Sequence, residues 1–274
     1  MHFDLIQSLS LAGSSSTPND DRAGSADNRA WVIDGATDLG PPGLVGARGG
    51  AAWLAAEAHA TLVGADDAPI GTLCTALADT LAARFAAVCT RAPEGRWELP
   101  MASMLLVRLE EGEMDCAWLG DCAAILRSGK RITRLGPPGY GKDAEAQQAA
   151  SLAQHGLGNV KRSAPILEEL RRSRSGAGKR ILGVEPATMQ GIETATLPCA
   201  VGDDLLLMTD GFAALVDGYA LMDEAALMAA LDTDGLAALA LRLRQTEAAD
   251  AACERFARFK TSDDATALWL RIGG

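Results

Sequence analysis

Residues 2–11 alternate weakly between apolar and polar positions, which predicts a first strand. Residues 30–33, Ala-Trp-Val-Ile, form a short apolar run that stops at Asp34-Gly35, the pattern of a buried strand entering a turn. Residues 50–63 and 70–89 repeat Ala and Leu at spacings of three and four, so two helices are predicted there. From Met101 the texture changes. Residues 104–109, 114–119 and 123–127 are apolar runs with hairpin-length gaps, which predicts an antiparallel meander. A polar stretch over 136–180 holds two weaker helical patterns, at about 143–155 and 165–174. Residues 192–197 and 204–209 predict strands, 223–231 and 235–258 helices, and 265–272 a last strand.

Strands, helices, strands, helices and a final strand describe an α+β layered domain rather than a βαβ series. No linker and no internal repeat divides the 274 residues, so 1–274 is predicted as one domain. A chain of this length can bury about three quarters of its surface without staples. Aromatic residues are only 4%, so Ala, Leu and Val must fill most of the interior. The net charge of −11 argues against a general binder of nucleic acid or of an anionic membrane, and it suits carboxylates gathered around a cation. Cys74, Cys89, Cys116, Cys122, Cys199 and Cys253 form no C-x-x-C pair and match no zinc frame; buried thiols in a reducing compartment are expected. No apolar run reaches the roughly 18 residues of a membrane span, and the first residues lack a basic, then apolar, leader. The expected location is cytoplasmic.

Several familiar chemistries are absent. Residues 173–180 imitate a phosphate loop, but Ser173 replaces its first Gly and Arg180 its final Ser or Thr. There is no H-E-x-x-H and no G-x-S-x-G, and the only histidines are His2, His59 and His155. What remains is aspartate at the ends of apolar strands. Asp34 follows Trp-Val-Ile, Asp121 follows Leu119-Gly120, Asp210 follows Leu-Leu-Leu-Met-Thr, and Asp263-Asp264 precede the last strand. Asp20-Asp21 adds a further pair. Converging carboxylates repel one another unless a hard cation neutralises them, and all-oxygen ligands favour Mg²⁺ or Mn²⁺. The spacing leaves two readings open, a shared metal site or separate turn aspartates.

The ordered set Asn19-Asp20-Asp21, Val32-Ile-Asp-Gly35, Leu119-Gly-Asp-Cys122, Leu206-Leu-Met-Thr-Asp-Gly-Phe212 and Ser262-Asp-Asp-Ala-Thr266 resembles the PP2C-type (PPM) metal-dependent serine/threonine protein phosphatases, closest to bacterial single-domain members. It spans nearly the whole chain in the family's order. The resemblance implies a four-layer αββα sandwich, two antiparallel sheets flanked by helices, with two Mn²⁺ or Mg²⁺ ions at one end that activate water against the phosphorus of phosphoserine or phosphothreonine in a protein. It implies that Asp34 bridges the ions, that the Gly35 carbonyl ligates one, and that Asp210 and Asp263 complete the other. Asp20 then acts through water, and Asp121 holds a third, weaker ion. Four positions depart from the family pattern. Ser16 stands where a phosphate-binding Arg is usual, Ala36 where His is frequent, Ala214 where a further acidic ligand is found, and Asp264 where Asn is usual. Residues 161–180 carry a net +5, in the stretch where this family places a flap. Arg171, Arg172 and Arg174 are its candidate substrate contacts; a solvated surface is the competing reading. Two other functions stay open, a catalytically weak binding or regulatory module and a phosphatase for a small phosphorylated metabolite.

Overall fold

Strands that read as unbroken apolar runs are, in this chain, strands buried on both faces. The structure, a computed structural model, describes residues 1–47, 49–137, 141–159, 162–176, 178 and 180–274. Its strands are β1 (His2–Leu11), β2 (Arg22–Ala26), β3 (Arg29–Gly35), β4 (Met101–Leu109), β5 (Glu113–Leu119), β6 (Ala123–Ser128), β7 (Arg131–Leu135), β8 (Leu182–Gly183), β9 (Glu193–Pro198), β10 (Asp204–Met208) and β11 (Ala265–Gly273). The helices are α1 (Gly50–Val63), α2 (Ile70–Val88), α3 (Gly141–Ser151), α4 (Ala164–Ser175), α5 (Asp210–Ala213), α6 (Glu224–Thr233) and α7 (Gly235–Ala249). One antiparallel sheet has the order β1-β11-β10-β6-β7, and the other β2-β3-β4-β5-β9, with β8 paired to β4.

Side chains alternate across each strand, so a strand covered on both sides needs apolar residues at every position. Val32, Leu105, Val107, Leu205, Leu207 and Leu270 meet between the sheets. The intervening residues Trp31, Ile33, Met104 and Leu106 face α1 and α2 with Leu54, Leu62, Leu77 and Leu81. On the far side, Leu206, Met208 and Trp269 pack with Leu227, Leu231, Leu239 and Leu243 of α6 and α7. The result is helix, sheet, sheet, helix, the four-layer α+β sandwich. Alanine takes the place of larger residues where layers approach closely, as Ala51, Ala55 and Ala58 of α1 are wholly buried. Among the described residues no helix is long and apolar enough to cross a membrane.

The structure departs from the sequence reading in three places. β4 and β5 form the expected hairpin, but β6 does not continue the meander: it pairs with β10 and β7 in the other sheet. The chain crosses between sheets at Gly120, whose φ of +83° suits glycine and where a Cβ would overlap Ser103. Helix α7 stops at Ala249 rather than near 258. There the Asp250 carboxylate accepts from the backbone N–H groups of Glu254, Arg255 and Phe256, folding the chain back on itself. Strands β2 and β7 have no apolar signal of their own. β2 is fixed by a two-residue turn at Asp27-Asn28 with Asp27 at φ +44°, and β7 is an edge strand whose arginines reach solvent and acidic partners.

Candidate metal centre

Three aspartates reach one point from three segments. Asp34 ends β3 in one sheet, Asp210 follows β10 in the other, and Asp121 stands in the crossing between β5 and β6. Each offers a carboxylate oxygen, and these oxygens all lie within 4.8 Å of one another. They open onto a cavity of about 760 Å³ also lined by Asp263, Lys260, Arg162 and Arg174. The backbone dictates this convergence. A strand buried on both faces can release a charged side chain only at its tip, and β3 and β10 end at the same edge of the sandwich.

Electrostatics mark the cluster as under-compensated. Burial, then the charges of Asp210, Asp21 and Asp121, pushes the Asp34 carboxyl well above the usual carboxylate range. Asp20 is raised to about 7 by burial, with Asp264, Asp38 and Asp263 adding to the rise and Lys260 opposing it. Asp21, 1% exposed, is raised strongly by burial, and hydrogen bonding to Thr209 only partly offsets this. Its Oδ2 accepts from Thr209 Oγ1 at 2.8 Å, whereas its Oδ1 is buried with no hydrogen-bond partner. Such groups call for a positive charge. All the donors are oxygens, which suits Mg²⁺ or Mn²⁺ rather than a soft metal.

Other predicted residues fall around this cluster. Gly35 packs on Asp20: a Cβ there would stand 2.8 Å from Asp20 Cβ and Asp20 O, so nothing larger fits. Asp264 ties the first acidic motif in place, accepting from Gly13 N and Asp20 N at 2.7 Å each. Asp263 lines the same cavity, but its Oδ1 is engaged by Lys260 Nζ at 2.6 Å and by Asp264 N at 2.8 Å. The geometry therefore groups Asp121, rather than Asp263, with Asp34 and Asp210. Ala36 and Ala214 line the cavity, while Ser16 is exposed and bonded to Ser14.

The three candidate arginines separate. Arg171 donates to Leu39 O at 2.6 and 2.9 Å and stacks 4.1 Å over the Trp97 ring. Arg172 is exposed and paired with Glu169. Only Arg174 lines the cavity, with its Nη1 on Thr37 O at 2.8 Å. Lys161 and Lys179 of the basic stretch lie outside the described residues. Sequence reasoning missed Lys260, and it missed Ser103, whose Oγ donates to Asp121 Oδ1 at 2.6 Å; it named Asp21 only as half of an acidic pair and Arg162 only as part of the basic stretch. A single hydroxyl inside the wholly buried strand β4 was the available signal for Ser103. His59, by contrast, accepts at Nδ1 from Trp31 Nε1 at 3.2 Å; burial holds its pKa low, and it serves the core.

The sequence matches the family model for protein phosphatase 2C over residues 12–267. The chain belongs to the protein phosphatase 2C family. A search of curated proteins returned no match. Among solved structures it resembles the serine/threonine phosphatase PstP/Ppp of Mycobacterium tuberculosis at 16% identity and a TM-score of 0.59, covering 100% of each chain. PppA of Pseudomonas aeruginosa matches at 18% identity and a TM-score of 0.57, over 99% of this chain and 98% of that one. Stp1 of Staphylococcus aureus matches at 14% and 0.56, over 99% and 96%. The catalytic domain of PstP has been solved with two manganese ions. This PP2C-family chain shares their fold over its whole length.

Proposed function

We propose that the protein hydrolyses phosphoserine or phosphothreonine in phosphoproteins, with Mn²⁺ or Mg²⁺ held at the acidic centre. One observation carries the reading: carboxylates from three separate segments converge within 4.8 Å beside a cavity, and burial together with its acidic neighbours raises the Asp34 carboxyl well above the usual range. Asp34 would be shared between two cations, with the Gly35 carbonyl, Asp210 and Asp263 as further ligands. Asp20 would act through water, and Asp121 would hold a third ion or join the core set. Bound there, the cations supply an activated water and screen the charge of the phosphoryl group. The protein's own contribution is orientation. Ser103 fixes Asp121, Asp264 fixes the backbone of Asp20, and Thr209 fixes Asp21. Arg174 and Arg162 stand on the cavity wall as cations for a dianionic phosphoryl group, taking the place of the family arginine absent at Ser16. Helix α4 would belong to the corresponding flap, and it docks on the loop after β3 through Arg171 and Arg174. The phosphoprotein class rests on family membership, and the compartment proposed for it is the cytoplasm. The test is hydrolysis of an aryl phosphate and of a phosphothreonine peptide, with Mn²⁺ and with chelator. Both reactions should proceed with the ion and stop without it; equal turnover in chelator would overturn the metal reading.

A further inference from the structure

Asp263 is paired with a cation of the chain's own. Lys260 Nζ lies 2.6 Å from its Oδ1, an oxygen that also accepts from Asp264 N. The ammonium is placed there by a built loop. Residues 250–264 wind around Arg258, whose guanidinium donates to the Asp250 carboxylate and to the carbonyls of Asp250, Phe256 and Thr261. The Lys260 carbonyl faces Cys253 Sγ at 3.6 Å, and Arg244 Nη2 holds Asp263 O at 2.8 Å. Lys260 therefore reaches the cavity from a fixed base, and Asp263 meets it from a fixed backbone. Its charge is also felt at Asp34 and Asp20, so it offsets part of the repulsion within the acidic centre.

Asp263 Oδ1 already accepts two hydrogen bonds, so a divalent ion on that oxygen has to replace one of them, and an ion on Oδ2 still meets the ammonium's charge across the same carboxylate. The divalent ion carries more charge, but it must compete with a charge-assisted hydrogen bond that the loop has already positioned. We propose that Lys260 is a built-in counter-cation with which a divalent ion has to compete for Asp263. The acidic centre then has a stronger half at Asp34, Asp121 and Asp210 and a weaker half at Asp263. This inference rests on the metal-dependent reading above.

The test uses the full chain, stripped with chelator and titrated calorimetrically with Mn²⁺. The native protein should show a tighter and a weaker binding event. In Lys260→Met, which keeps the length of the side chain and removes its charge, the weaker event should tighten roughly tenfold, the scale of one charge-assisted hydrogen bond. Lys260→Arg should keep the native isotherm. Superimposable isotherms for Lys260→Met and the native protein would overturn the proposal while leaving metal binding intact. No uptake of Mn²⁺ by the native protein would overturn the metal reading and this inference with it. Should Lys260→Met fail to fold, Asp263→Asn serves instead: losing only the weaker event supports the assignment, and keeping both events overturns it.

Discussion

Two aspartates withdrawn from water, Asp34 and Asp250, meet opposite fates in this protein. Burial would raise both. At Asp250 the backbone N–H groups of Arg255 and Phe256 and the Arg258 guanidinium more than offset it, and the carboxyl falls to about 2. At Asp34 the neighbours are Asp210, Asp21 and Asp121, which add to the rise. One carboxylate is finished within the fold and turns a helix end into a loop. The other needs a positive charge beside it. Residue type and burial do not separate structural from functional carboxylates; the sign of the neighbours does.

The contrast is sharpest in activity. Asp34→Asn should lower phosphatase turnover about 100-fold or more at saturating Mn²⁺, and the same variant should melt higher than the native protein in chelator, because a repelled charge is gone. Near-native turnover would break the assignment. Asp250→Ala should move stability the other way, by about 3 kcal/mol, since it strands Arg258 and three backbone donors. Thermal melting in chelator compares the two directly, and shifts of the same sign would erase the distinction. Asp121→Ala probes membership of the cluster. Turnover should fall about tenfold with a weaker first Mn²⁺ event; unchanged affinity would return Asp121 to a peripheral third ion.

The last contrast is in pH. The Asp20 carboxyl titrates near 7 in the folded protein and near the usual value of about 4 when unfolded. Between those values the folded state holds a proton that the unfolded chain has released. Stability from this group is thus fully present below about pH 4 and is lost as pH rises toward 7. In chelator, Asp20→Asn should flatten that part of the melting-temperature profile between pH 5 and 7.5. An unchanged slope would show that Asp20 keeps an ordinary pKa.

Much of the sandwich was legible because its strands are covered on both faces. Unbroken runs such as Leu205-Leu-Leu-Met208 have one environment available to them, and the Ala and Leu spacing of α1 and α2 gave both helices to within a residue. What escaped was decided by partners distant in sequence. β2 is Arg-Ala-Gly-Ser-Ala and becomes a strand through pairing with β3. The change of sheet after β5 hangs on one left-handed glycine. At the site, Asp34, Asp121 and Asp210 could be named from their places at strand tips, but position along the chain does not show which carboxylates touch. The pairing of Asp263 with Lys260 three residues earlier, and the turning of Arg171 toward Trp97, are matters of side-chain direction set by a loop and a helix that carry little apolar pattern.

The crossing at Gly120 and Asp121 has a mechanical consequence. Asp34 belongs to one sheet, Asp210 follows the last residues of a strand of the other, and Asp121 sits in the stretch of chain that joins them. The acidic centre is therefore a seam, and sliding one sheet over the other spreads the three oxygens apart. A cation gripped by all three would act as a rivet through the sandwich, linking segments as far apart in sequence as Asp34 and Asp210. Its removal should be felt away from the cavity, as faster amide exchange along β3 and β10, where the two halves of the molecule slip against each other.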